Sequence, residues 1–406
     1  MPHRLKKTSD DLRGLGRLAI DATIGITDLI EALHHNIIGR SGLGSVRQDG
    51  RTGGLAGMVY DTVRGTTRVA GYGVDTALGL LAAPLAGLSD RPEREHIQSA
   101  VNGVLGDHLV SSGNPLAIPM QIRKNGVALA LDRAALSKAI PEANGRILLL
   151  VHGLCMNDRQ WSRTRADGSS HDHGLALQEA HGHTPVYLHY NTGLSIADNG
   201  RLLSEQLDAL VEAWPVEVEE LSILAHSMGG LVTRSAHQHA VKAGHAWQRL
   251  AAKFIFLGTP HHGAPLERGG HWFDLVLGAT PFAAPFAKIG KIRSAGITDL
   301  RHGGISTKGI GLPPLPEGIA CFAIAGTTAH QDNALRNKML GDGLVPVESA
   351  LGLHDDPLHQ LAFPAENRLV VHAANHMQLL SDESVYAALE NILKYGASGN
   401  SGNSDH

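Results

Sequence analysis

The sequence predicts an α/β protein, with a largely parallel sheet covered by helices on both faces and a helical N-terminal region in front of it. Three observations predict it. The run Arg146–Val151 is continuously apolar, as expected of a strand buried on both faces. From about Pro119 onward, strand-like runs alternate with segments of helical periodicity, the pattern of βαβ units. Residues 15–110 show apolar steps of three and four residues and no such strand runs.

In the N-terminal region Ala22, Ile26, Leu29, Ile30, Leu33 and Ile37 fall on one helical face, with Asp21, Asp28, Glu31 and His35 between them. A glycine-rich break follows from Gly39 to Gly54. A second helical stretch runs through Met58, Val63, Val74, Leu78 and Leu81, and its small residues permit close helix–helix approach. A third helix, Glu93–Leu109, stops before the breaker Ser111–Pro115. These limits give an N-terminal helical region over residues 1–115, an α/β domain over 116–395, and a Gly/Ser/Asn-rich tail over 396–406 expected to be disordered.

Within the α/β domain, Met120–Arg123 and Val127–Leu131 flank Asn125-Gly126, a strong hairpin signal. Further strands are expected at Thr184–Tyr190, Leu221–Ala225, Lys253–Leu257, Ile319–Ala325 and Arg368–Val371. Helices are expected through Leu202, Leu203, Leu207, Leu210 and Val211, at Met228–Val241 and at Ser384–Tyr395. Residues 264–318 are too long for a plain connection, and their Trp272, Phe273, Phe282 and Phe286 predict an apolar cap or lid.

Composition excludes several functions. A net charge of −4 argues against a nucleic-acid partner bound through a basic surface. Two cysteines exclude a disulfide scaffold and a four-cysteine zinc site, and Cys155 and Cys321 are expected to be free thiols. Charged residues at Asp10, Asp11, Arg13 and Arg17 interrupt any secretory signal, and the apolar stretch Thr76–Ser89 is 14 residues long with Pro84 inside it. The default expectation is cytoplasmic. The 25 histidines raise the question of a metal; the pairs His171/His173 and His181/His183 lack a third ligand at chelating spacing, so a solvated histidine-rich surface and no metal or other cofactor are expected.

Four segments carry chemistry. Ser227 lies between a predicted strand and helix, with the small Ala225 and Gly229 two residues to either side, as a sharp strand-to-helix turn requires. His152-Gly153-Leu154 directly follows the buried strand, where backbone amides of Leu154 and Met228 can meet a developing oxyanion. Asp342 sits in Gly341–Pro346 and His376 in Asn375–Leu380, each after a predicted strand. The Ser227 motif by itself favours catalysis over a plain helix cap, whereas each of the other three is ordinary alone; together they follow the order nucleophile, acid, base, with 115 residues from Ser227 to Asp342 and 34 from Asp342 to His376. His372, and Asp355 or Asp356, are the competing base and acid.

Residues 118–395 resemble the α/β-hydrolase superfamily, its bacterial lipase/esterase group and the lipase-like domain of GPI inositol-deacylases. The resemblance rests on HGL at 152–154, AHSMGG at 225–230, GTPHHGAP at 258–265, GDGLVP at 341–346 and NHMQLL at 375–380. It implies an α/β-hydrolase fold with a helical cap and a serine hydrolase acting on carboxylic esters. The implied triad is Ser227, Asp342 and His376. His152, Gly153, His226, Trp161, Trp272 and Phe273 are expected to surround a small-molecule or lipid ester, with short to medium acyl chains favoured. Two alternatives use the same sequence: an acyltransferase or thioesterase on this fold, or a protein whose N-terminal helices contact a lipid or polymer surface.

Overall fold

The computed structural model describes residues 92–165, 167–263, 294–302, 313–330 and 341–395. The helices expected before residue 92, the stretch Thr76–Ser89, Trp272 and Phe273 with most of the expected cap, and the tail 396–406 lie outside the described residues. The chain divides into two compact units, residues 1–94 with 109–117 and residues 95–108 with 118–406. In the first unit the described residues include a turn in which Asn114 N donates to Leu109 O at 2.8 Å. Among the described residues no helix is long and apolar enough to cross a membrane.

The second unit is built on an eight-stranded sheet. Its strands are β1 (Gln121–Lys124), β2 (Val127–Ala128), β3 (Arg146–Val151), β6 (Thr184–His189), β7 (Glu220–His226), β8 (Ala251–Leu257), β9 (Ala320–Thr327) and β10 (Arg368–His372). A separate ribbon pairs β4 (Arg163–Thr164) with β5 (Ser170–His171). The sheet order is β10-β9-β8-β7-β3-β6-β1-β2. Every pair from β6 to β10 is parallel, and β1 runs antiparallel to both β6 and β2. Asn125 and Gly126 turn the β1–β2 hairpin with φ of 52° and 74°, the left-handed pair that a two-residue turn demands. β2 is shorter than its apolar pattern suggests, because Asp132 caps the next helix by accepting from Ala135 N and draws the chain off the sheet edge.

The helices are α1 (Pro92–Ser111), α2 (Arg133–Ala139), α3 (His173–His181), α4 (Ile196–Ala213), α5 (Met228–Ala243), α6 (Ala295–His302), α7 (Val347–Ala350) and α8 (Glu383–Tyr395). The central strands alternate between two buried clusters. Ile147, Leu149 and Val151 of β3 join one, together with Leu203 and Leu207 of α4 and Leu231 and Val232 of α5. Leu148 and Leu150 join the other, with Leu177 of α3 and Val385, Leu389 and Leu393 of α8. This two-residue alternation into two apolar layers is why Arg146–Val151 reads as an unbroken apolar run. Each such leucine, fully buried, contributes roughly 1.5–3 kcal/mol.

Two segments pack differently from their sequence pattern. Residues 95–108 of α1 belong to the second unit, where Ala100 and Val104 enter the main core. Residues 294–302, inside the expected cap, form α6, whose Ile297 and Leu300 are buried in that core. Ser294 Oγ donates to Gly103 O at 2.7 Å, and Asp299 Oδ2 accepts from Ile196 N at 2.8 Å. This part of the insertion is therefore a packed helical layer.

Candidate active site

The topology itself selects one crevice. From β3 the chain crosses through α3 to β6 on one side, whereas from β7 it crosses through α5 to β8 on the other. Adjacent parallel strands whose connections leave in opposite directions open a gap beyond their carboxyl ends. His152-Gly153-Leu154 leaves β3 at that gap and Ser227 leaves β7 beside it. Asp342 and His376 follow β9 and β10 at the same edge of the sheet.

Ser227 is held in a strained turn. Its φ of 54° and ψ of −126° are disfavoured for any residue with a Cβ. The strain is sustained from both sides: Ser227 N donates to Leu257 O at 2.8 Å, and α5 begins at the next residue. Gly229 is required because a Cβ there would lie 2.6 Å from Val151 O and 2.8 Å from His152 O. Two more non-glycine residues of positive φ sit in the neighbouring loops, Cys155 at 59° and Ala373 at 55°. Strain is thus concentrated where chemistry-bearing loops leave the sheet.

The loop after β3 lies against the serine: a Cβ on Gly153 would stand 2.9 Å from Ser227 Cβ. Tyr190, one residue past β6, donates its hydroxyl proton to His152 O at 2.8 Å, and its ring stacks on His152 with centroids 4.5 Å apart. Cys155 N donates to Thr192 Oγ1 at 3.1 Å. Among the described residues the amides of Leu154 and Met228 donate to no protein acceptor, which leaves both for an oxyanion. Sequence reasoning misses Tyr190 and Thr192; their one signal is that Tyr190 ends, and Thr192 closely follows, the strand expected at Thr184–Tyr190.

Asp342 is 2% exposed and spends both oxygens on fixed donors. Oδ1 accepts from Leu344 N at 2.9 Å and Val345 N at 2.8 Å, and Oδ2 accepts from His376 Nδ1 at 2.6 Å. His376 N also donates to Asp342 O at 3.0 Å. With Nδ1 donating, His376 Nε2 carries the lone pair a general base needs. No hydrogen bond joins it to Ser227 Oγ here, a contact that commonly tightens only when substrate binds. Of the competing residues, Asp356 is paired with His359 at 2.9 Å, and His372 ends β10 with its Nδ1 unpartnered.

Other expected site residues make contacts within the protein. His152, His226 and Trp161, read from sequence as substrate contacts, are all fully buried. His152 Nδ1 donates to Gly153 O at 2.9 Å, while Trp161 packs among Leu150, Leu224 and Leu379. Their proximity in sequence to Ser227 and Gly153 is matched by ring contacts: His152 stacks on Tyr190, and the His226 centroid stands 6.4 Å from that of Trp161 and 4.6 Å from that of His376. The solvated histidine surface is also corrected. His171 Nε2 and His173 Nδ1 stand 2.8 Å apart, His173 Nε2 lies 3.0 Å from Leu379 O, and His183 Nε2 is 3.7 Å from Glu220 Oε1. His171, His173 and His183 are buried, and among the described residues no three His, Cys, Asp or Glu side chains are placed to hold a metal ion. Cys155 and Cys321 are free and buried, and burial pushes each thiol up to about 12.

These buried imidazoles give the fold an acid limit. Burial pushes His152 and His173 down to about 3 from 6.5. The folded protein therefore stays neutral at both sites while the unfolded chain takes up protons below 6.5, so stability is full above 6.5 and falls as pH drops toward 3. Each is expected to remove about 1 kcal/mol per pH unit in that window. Thermal unfolding followed by circular dichroism at pH 7.5 and 5 checks this. A Tm lower by several degrees at pH 5 is expected, and an unchanged Tm contradicts it.

Sheet order, crossover directions and the loops at the carboxyl edge define an α/β-hydrolase fold. A family described as a domain of unknown function (DUF7379) matches residues 123–300. No protein with a curated description matches the chain. Among solved structures, the chain is similar to the mature lipase BlEst2 of Bacillus licheniformis at 16% identity and a TM-score of 0.41, over 61% of this chain and 92% of that one. Lipase B of Aspergillus fumigatus is matched at 13% identity and a TM-score of 0.38, over 68% of this chain and 56% of that one. The Pyrococcus furiosus esterase Pf2001 is matched at 15% identity and a TM-score of 0.38, over 63% and 84%. These are likenesses of architecture, and what those proteins act on is theirs.

Proposed function

We propose that the protein is a serine hydrolase that cleaves carboxylic esters through an acyl-enzyme on Ser227. The observation that carries this reading is the buried 2.6 Å contact between Asp342 Oδ2 and His376 Nδ1, at the same sheet edge as a serine held at φ 54°. Ser227 Oγ attacks the ester carbonyl carbon as its proton passes to His376 Nε2. The Leu154 and Met228 amides hold the oxyanion. The C–O bond to the alcohol breaks, and the departing oxygen takes the proton from His376. Water then enters and gives a proton to His376 as its oxygen attacks the acyl carbon; the C–O bond to Ser227 breaks, Oγ takes that proton back, and the acid leaves. Asp342 keeps the imidazole in the required tautomer and offsets its transient charge.

Labelling with a fluorophosphonate, followed by mass spectrometry of the adduct, tests the reading. A single adduct on Ser227 is expected, together with turnover on a p-nitrophenyl ester panel. No adduct on Ser227 sinks it. Faster turnover of thioesters, or transfer to an added alcohol, would favour the thioesterase or acyltransferase alternative. The likeness to GPI inositol-deacylases belongs to this reading. It draws on Gly258–Pro265, whose Gly258 lies under the Asp–His pair: a Cβ there would stand 3.0 Å from Asp342 Oδ2 and 3.1 Å from His376 Cε1.

The oxyanion loop carries its own prediction. Gly153→Ala would place a methyl 2.9 Å from Ser227 Cβ and 3.2 Å from His226 Nδ1, so the loop must shift outward. A fall in kcat on the order of 10²-fold is expected, with Tm little changed. Steady-state kinetics check it, and a kcat near that of the unmodified protein would count against Leu154 as a donor.

A further inference from the structure

We infer that His226 is a positioning residue for the reaction proposed above: its Nε2–H grips the His376 carbonyl and so holds the base-bearing turn in line with Ser227. This role rests on the hydrolase reading and adds to it a residue that the triad does not include.

His226 is the last residue of β7, one before Ser227, and is fully buried. Its ring reaches sideways across the sheet edge to the turn after β10, 150 residues away in sequence, where Nε2 stands 3.1 Å from His376 O. A carbonyl oxygen only accepts, so Nε2 must carry the proton. A neutral imidazole has one N–H, which leaves Nδ1 bare, and Nδ1 is indeed buried without a partner. Burial first, and then the neighbouring His376, hold this imidazole well below its ordinary range, so it is neutral when His376 gains a proton. A second positive ring would oppose that step, since the two ring centroids are only 4.6 Å apart.

The rest of the turn explains why this bond matters. Ala373 N, Ala374 N and His376 N tie it to Ala329 O, Thr327 O and Asp342 O, all on the amino-terminal side of the His376 carbonyl. On the carboxyl-terminal side Asn375 bonds within the turn, Gln378 O accepts from Ser381 N and Asp382 N, and the next anchor to another element is His173 Nε2 at Leu379 O, three residues on. Among the described residues His226 is the one donor that reaches the His376 carbonyl itself. On its other side the ring meets the edge of Trp161 at 6.4 Å and lies next to Gly153. One side chain is therefore wedged between the oxyanion loop and the base.

The test compares His226→Phe, which keeps a ring and loses the N–H, with His226→Gln, which restores a donor. Kinetics on p-nitrophenyl butyrate and the rate of fluorophosphonate labelling at Ser227 are measured in the full chain, with Tm as a folding check. For His226→Phe, kcat and labelling rate are expected to fall on the order of 10²-fold while KM moves less than about threefold. His226→Gln is expected to recover at least about tenfold of that loss. Should the Phe variant fail to fold, His226→Met against His226→Gln makes the same comparison. Donor-less and donor-bearing variants that are equally slow overturn the role, as does a donor-less variant as fast as the unmodified protein. An unmodified protein that takes no label on Ser227 overturns the hydrolase reading along with it.

Discussion

Replacing Ser227 by alanine is expected to lower kcat/KM on an activated ester by about 10⁴-fold or more, to the level left by binding and the oxyanion amides alone. The substitution is a clean one here. Alanine keeps the Cβ that makes φ 54° unfavourable, so it neither adds nor relieves backbone strain. Ser227 is only 8% exposed, and its backbone bond to Leu257 O does not involve the side chain. Tm should therefore stay within a few degrees, and the lost rate reports the missing Oγ. Ser227→Gly separates strain from chemistry. It should be as inactive, yet more stable by roughly 1–3 kcal/mol, because glycine occupies this conformation without the Cβ clash. Activity of Ser227→Ala within tenfold of the unmodified protein would remove Ser227 from the mechanism.

Asp342→Asn is expected to lower kcat by about 10⁴-fold with KM little changed. The reason lies in how Asp342 divides its two oxygens. Leu344 N and Val345 N both donate to Oδ1, so an asparagine must point its carbonyl oxygen at them. Its NH₂ then faces His376 Nδ1, 2.6 Å away in the present structure, and a donor there makes Nδ1 the acceptor. The proton moves to Nε2, the atom that must accept from Ser227, and the base is disabled while the fold is kept. Kinetics and a thermal melt measure both halves of the prediction. Asp356→Asn is the control: Asp356 pairs with His359 and is expected to change kcat by no more than about twofold. A strong effect at Asp356 with none at Asp342 would reassign the acid.

Much of the candidate site is legible in the amino-acid sequence because each of its pieces is local. The β3 segment Arg146–Val151 and the β7 segment before Ser227 are recognised from a few consecutive residues, and the loops that follow such strands fall at one edge of a parallel sheet. The small residues flanking Ser227 announce a tight turn in the same way, since they act within four positions of it. Histidines are misread from sequence for the complementary reason. Whether His173 is solvated or buried depends on Leu379, 206 residues away, and His226 faces a carbonyl 150 residues away. No periodicity encodes such partners. Likewise α1 and α6 read as an appendage and a cap because their apolar residues reveal a buried face but not the surface that buries it.

By itself the sequence determined the α/β class and the order of strands along the chain, and it singled out Ser227, Asp342 and His376 as the residues proposed to carry acyl chemistry. Only the tertiary structure decided which amides, hydroxyls and rings meet those residues and their loops: Tyr190 at His152 O, Leu344 and Val345 at Asp342, and His226 at the His376 carbonyl. Strand and helix formation follow from interactions a few residues apart, whereas positioning groups act across sheet edges. There the sheet order β7-β8-β9-β10 makes neighbours of segments far apart in the chain.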